Sequence, residues 1–159
     1  MFDDFIRLHD SALSMVASPS GPEKYWIVVA SRDHVQTGVR EGICQANHGK
    51  QGPLSRMKMG DWILFYSPHV KFSGTDKCRK FTALARVKDD RVYQVRMSRD
   101  WSPFRRDVEF QPCKEVPIEP MVQGLSFIKN KKSWGYVFRF GLLSIPREDF
   151  LTISSQMKM

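Results

Sequence analysis

The sequence predicts an α+β domain in which a small mixed β-barrel carries peripheral helices. Three observations lead there. Apolar runs of strand length outnumber helical segments and do not alternate with them in a regular order. The run Trp62-Ile63-Leu64-Phe65-Tyr66 is apolar or aromatic throughout, as suits a central strand buried on both faces. It follows the turn dipeptide Gly60-Asp61, in which Gly accepts positive φ and Asp can bond its own backbone.

Taken in order, Phe2, Phe5, Ile6, His9 and Leu13 recur at helical spacing behind Asp3 and Asp4. A short amphipathic helix is expected over residues 1–18. Ser18-Pro19-Ser20-Gly21-Pro22 reads as a linker, dividing residues 1–22 from a domain at 23–159. Tyr25 to Ala30 is the first buried strand. Ser31 is placed to cap a helix whose inner face carries Val35 and Val39, and His34 on it reads as solvated. Gly42 to Gln51 is a loop supplying amides, an imidazole and a thiol, and Pro53 to Met57 adds one helical turn.

Pro68 is expected to close the central strand, and His69 to Lys77 to form a polar hairpin-like loop. Lys80 to Val87 and Val92 to Met97 alternate as strands. A further strand region covers Asp107 to Phe110 and Lys114 to Ile118, interrupted by Pro112. Pro120 to Phe127 suggests helical turns, and Lys129-Asn130-Lys131-Lys132 a basic turn. Trp134 to Phe140 alternates aromatic residues and reads as a last strand. Pro146, suited to a first helical position, opens a closing helix.

A chain of 159 residues can bury roughly 70% of its unfolded surface in one domain without staples. No apolar run reaches the roughly 18 residues of a membrane span, and the acidic start Met1-Phe2-Asp3-Asp4 lacks a signal-peptide core, so no membrane partner and a cytoplasmic location are expected. Cys44, Cys78 and Cys113 are odd in number and far apart, which argues against disulfides and, without metal-ligand spacing, against a zinc site. The net charge of +8 favours polyanionic partners, nucleic acid first. Nothing in the sequence fixes the oligomeric state.

No phosphate loop, dinucleotide fingerprint, zinc-protease motif or nucleophile elbow is present. Cys44 with His48 offers a thiol and a base, the footing for a competing reading as an enzyme acting on a nucleotide or small ligand. A structural barrel without a base pocket is the third alternative. The residues that stand out are interleaved aromatics and cations. Trp101 and Phe104 lie among Arg99, Arg105 and Arg106, where rings could stack on bases and arginines pair with phosphates. Lys129, Lys131 and Lys132 would serve as further phosphate contacts.

Tyr25-Trp26-Ile27, Gly42-Ile43, Gln45-Ala46-Asn47-His48 and Met57 to Asp61 with Phe65-Tyr66 occur in an order that resembles EVE-domain proteins. Leu125 to Ile128 and Gly141 to Phe150 fit the same pattern, so the resemblance covers about residues 23–154. EVE domains belong to the PUA-like group and are related to YTH readers of methylated adenine in RNA. The resemblance implies a PUA-like barrel with a pocket for a modified base, and a binding module that needs no cofactor and has no catalytic residues. Its partner would be DNA or RNA. Trp26 and Ser31 would lie where the first strand opens into the pocket, with Gln45, Asn47 and His48 on the loop facing it and Tyr66 on the central strand. Phe110 falls where YTH readers hold one cage tryptophan, and Cys44 or Gln45 near the other. That departure points to a different modified base, or to a cage closed by Trp101, Phe104 or Trp134.

Overall fold

The structure is a computed structural model and describes residues 22–159. The helix expected over residues 1–18, and the linker as far as Gly21, lie outside the described residues. In chain order the first elements are β1 (Tyr25–Val29), α1 (Arg32–Glu41), β2 (Ile43–Cys44), α2 (Gln51–Arg56), β3 (Trp62–His69) and β4 (Lys77–Val87). There follow β5 (Tyr93–Gln94), β6 (Phe104–Phe110), β7 (Val116–Pro117), β8 (Leu142–Ile145) and α3 (Arg147–Met157). Short 3₁₀ turns occupy Asn47–Gly49, Glu119–Gly124 and Trp134–Phe140.

The strands make one mixed sheet in the order β2-β6-β4-β3-β1-β8, curled into a half-barrel with helices at its periphery. At its centre β1 and β3 run parallel, with Tyr25 opposite Trp62 and Val29 opposite Tyr66. Strand alternation divides the apolar residues between two cores. Tyr25, Ile27, Trp62, Leu64 and Tyr66 face α3 and the turns around Val122 and Phe138. Trp26, Val28, Ile63 and Phe65 face Val35 of α1, Leu54 of α2 and Met57. Both faces of the central strand are covered, as its unbroken apolar run requires.

A bulge in β4 explains a change of parity. Phe65 pairs with Ala83 but Tyr66 pairs with Phe81, so Thr82 is the extra residue, and Phe81 and Leu84 come to share one face. A second irregularity lies at Pro68, which has no N–H for the ladder. The strand therefore continues past Pro68 to His69, and β4 starts at Lys77, earlier than the sequence suggested.

Four other expectations are corrected. Trp134–Phe140 is a 3₁₀ turn in place of a strand, because its covered residues, Trp134, Val137 and Phe138, recur at helical spacing. The last strand is β8, which pairs antiparallel with β1. Of Val92 to Met97 only Tyr93–Gln94 joins the sheet, and Val39 is exposed while Val35 is buried. Pro146 caps α3 from outside its first turn.

The Gly60-Asp61 turn is anchored by the Asp61 carboxylate, which is only 3% exposed. It accepts hydrogen bonds from the Lys24 and Lys58 amides and from Trp26 Nε1, each at 2.9 Å. Gly60 O in turn accepts from Arg86 Nε at 3.0 Å. Asp61→Ala leaves three donors without their acceptor and should lower the unfolding free energy by about 3 kcal/mol. An unchanged urea midpoint would contradict this account of the turn.

Candidate functional site

Where β1 and β3 reach their carboxyl ends, the sheet opens into a cavity of about 1040 Å³. Parallel strands commonly receive ligands at this end. Ala30 and Ser31 leave β1 into it, Pro68 and His69 leave β3 into it, and α1 forms one wall. The loop after β2 forms another. Asn47, His48 and Gly49 all have positive φ, at 47°, 59° and 82°. Two close approaches hold that unusual backbone. A Cβ on Gly49 would overlap Pro103, and a Cβ on Gly141 would overlap the Asn47 amide oxygen.

The loop places Gln45, Asn47 and His48 on the cavity wall, together with Ser31, Trp101 and Arg105. Six residues named from the sequence thus converge. The Gln45 and Asn47 amides make no hydrogen bond to another group among the described residues, although each can donate and accept. Arg105 reaches the wall from β6, with Nη2 3.1 Å from Met97 Sδ and Nη1 3.6 Å from the Glu41 carboxylate.

The remaining named residues lie elsewhere, for clear physical reasons. Trp26 is a core residue at 2% exposure, its indole bonded to Asp61. Phe110 packs on Phe65, ring centroids 5.5 Å apart, and Phe104 packs against the same core, so neither borders the cavity. Arg106 is 1% exposed and cannot serve as a phosphate contact. Its guanidinium donates to Leu54 O at 2.8 Å and to Met57 O and Asp89 O, closing the carboxyl end of α2. Lys131 is also committed, with Nζ donating to Val122 O and Leu125 O at 3.0 and 2.8 Å. Lys129 is exposed and borders neither of two cavities, whereas Tyr66, Trp134 and Lys132 border a second, smaller one of about 360 Å³.

Sequence reasoning missed His34, Phe72 and Phe138. His34, read as solvated, stacks on Phe72 with centroids 5.0 Å apart, and His48 meets the same ring edge-on at 5.8 Å. Asp33 holds this arrangement: its carboxylate accepts from Ser31 Oγ at 2.5 Å, from the His34 amide at 2.9 Å and from the Phe72 amide at 3.2 Å. Burial pushes the Asp33 carboxyl up, but these donors outweigh it and leave its pKa below the ordinary value. Phe138 closes the far side, stacked on Tyr66 at 4.0 Å. A phenylalanine in a polar hairpin loop was the one available signal for Phe72.

Cys44 does not border the cavity and is 1% exposed. Burial pushes its thiol up to about 12, and the neighbouring Arg106 charge only partly opposes this. A thiol so buried is a poor nucleophile, so the pairing of Cys44 with His48 lacks its first partner. Among the described residues no three His, Cys, Asp or Glu side chains gather as a metal site would need, and no helix is long and apolar enough to cross a membrane.

The EVE domain family model matches residues 24–156. This chain belongs to the EVE domain family. It is 49% identical over 127 residues to the "UPF0310 protein in gntR 5'region" of Bacillus licheniformis, covering 80% of this chain and 86% of that one. To a UPF0310 protein of Mycolicibacterium vanbaalenii it is 47% identical over 132 residues, covering 83% and 91%. In fold, this EVE domain is similar to the Pho92 YTH domain solved in complex with m6A. The TM-score is 0.53 at 14% identity, covering 90% of this chain and 88% of that one. It is also similar to the ZmASCH protein of Zymomonas mobilis, with a TM-score of 0.52 at 9% identity over 86% and 98%. These two likenesses establish the PUA-like fold of the domain.

The burial of Cys44 has a direct readout. At pH 8 the native protein should leave Cys44 unmodified by iodoacetamide, with labelling appearing only after unfolding in urea. Labelling in the native state at the rate of a free thiol would restore the nucleophile.

Proposed function

We propose that this EVE domain is a non-catalytic nucleic-acid-binding module that reads an extruded, modified base in the large cavity. One observation carries the reading: two uncommitted side-chain amides, Gln45 and Asn47, face a cavity walled by aromatic rings and bordered by cations. The volume of about 1040 Å³ is ample for a nucleobase, ligand sites commonly enclosing roughly 300–1,000 Å³. Trp101, His48 and Phe72 offer faces for stacking, each stacked base contributing about 1–3 kcal/mol. The amides then read the base edge, as single-stranded bases are read on their exposed edges. A methyl group settling against Phe65 or Phe138 leaves water for an apolar niche, which stabilises the complex by about 1 kcal/mol. Arg105, Lys71 and Arg139 lie on the same walls and suit an anionic backbone.

The likeness in fold to a YTH domain solved with m6A supports a base as the ligand class. The YTH cage itself is not what this chain would use. Phe110 is turned into the core, so Trp101, an exposed residue, takes the stacking role in this reading.

The test is a fluorescence titration with plain and base-methylated oligonucleotides, single- and double-stranded, at two salt concentrations. One modified oligonucleotide should quench selectively, and the selectivity should persist at the higher salt. Trp101→Ala should weaken its binding by roughly five- to a hundredfold. Asn47→Gly, which keeps the left-handed backbone but removes the amide, should erase the preference for the modified base. Binding that is equal for all sequences and vanishes with salt would reduce the protein to a basic surface.

A further inference from the structure

Beside the base cavity, and separated from it by Pro68, His69 and Phe138, lies the second cavity of about 360 Å³. We propose that it holds a backbone phosphate, the phosphodiester next to the extruded nucleotide, so that one strand of nucleic acid crosses the Pro68–His69–Phe138 ridge. The inference rests on the base-reading function and gives that site a direction and a second contact.

Cations converge on this cavity from separate parts of the chain. Lys77 and Arg79 come from β4, and Lys132 from the basic turn, which Asn130 shapes by accepting from the Lys132 and Ser133 amides at 3.1 and 3.2 Å. Lys77 and Lys132 have no carboxylate partner among the described residues. Arg79 pairs with Glu119 at 3.3 Å, both groups largely exposed, an arrangement worth little against a bound anion. Its guanidinium also lies 5.6 Å from the Trp134 ring, which floors the cavity.

Two further observations point to a ligand. Tyr66 borders the cavity at 2% exposure, and its hydroxyl makes no hydrogen bond among the described residues. A hydroxyl at the cavity wall, carried on so buried a side chain and without an acceptor, suits an anionic oxygen. Arg79 itself has φ of 53°, the left-handed region that a non-glycine residue adopts at a cost. That backbone arises where Pro68 interrupts the β3–β4 ladder, and it is held by the Ile118 amide donating to Arg79 O at 3.0 Å. Strain of this kind gathers at ligand sites. A phosphate, with several acceptor oxygens and a negative charge, satisfies Tyr66, Lys77, Arg79 and Lys132 together. An uncharged base edge would leave the three cations unused.

The experiment compares wild type, the double variant Lys77→Ala/Lys132→Ala, and Tyr66→Phe, which keeps the ring stack on Phe138. Affinity is measured against salt for single-stranded oligonucleotides, plain and base-methylated, and for the matched nucleoside monophosphate. The double variant should weaken both oligonucleotides by the same factor and reduce the salt slope by about 0.7, the contribution of one neutralised phosphate of a single strand. Tyr66→Phe should cost about tenfold with an unchanged urea midpoint. Wild-type affinity and slope in all variants would overturn the inference, and if Asn47→Gly still erased the preference for the methylated strand the base-reading function would stand. The predicted fall in slope without any preference for a modified base would leave the phosphate site standing and remove the base reading. A monophosphate that bound as tightly as the oligonucleotides, and weakened by the same factor in the double variant, would replace the strand by a free nucleotide.

Discussion

The Asp61 carboxylate is the interaction on which the architecture turns. It ties the approach to β1, through Lys24, to the turn before β3, through Lys58, and it fastens the Trp26 indole between them. Three N–H donors converging on one buried carboxylate fix the register of a parallel pair that no hairpin could set. The far end of that pair is the mouth of the cavity. A slip of one residue there would exchange the two faces of β1 and carry Trp26 and Val28 to the wrong core. The positions of Ser31, Pro68 and His69 around the cavity are thus fixed from the opposite end of the sheet.

A second constraint shapes the loop after β2. Three consecutive left-handed residues are rare, and this run is kept in place by contacts that leave no room for a side chain at Gly49 or Gly141. Gly141 also accepts from the Val29 amide at 2.9 Å, so the loop, β1 and the segment before β8 meet at one point. Amides presented from so constrained a backbone need little further ordering when a ligand arrives, and that lowers the entropic cost of binding. Opposite them, the Asp33 carboxylate fastens the Phe72 loop to α1. Polar anchors on two sides therefore hold the walls while the wall surfaces stay aromatic.

Much of this was legible from residue type and spacing. The unbroken apolar runs of β1 and β3 announced strands covered on both faces, and the motif order led to the barrel and to Gln45, Asn47 and His48. Assigning a side chain to a face was harder. Arg105 and Arg106 are neighbours on one strand, so they point oppositely: one reaches the cavity wall while the other closes α2 from within the core. Nothing local says which is which, since the answer depends on how β6 pairs with β2 and β5. Trp26 and Phe110 were misplaced for the same reason. The Trp134–Phe140 segment alternates aromatics like a strand, yet its covered residues keep helical spacing. His34 and Phe72 were invisible as a pair because the bond that unites them spans from Asp33 to a hairpin loop. Lys131 looked like its neighbours until two carbonyls claimed it.

The most direct test of base reading is a proton–nitrogen NMR titration of the full chain with a single-stranded oligonucleotide carrying one methylated base. The Gln45 and Asn47 side-chain amides and the Trp101 indole should shift together, and more for the methylated than for the plain strand. Shifts confined to exposed lysines and arginines, equal for both strands, would contradict a base-reading cavity.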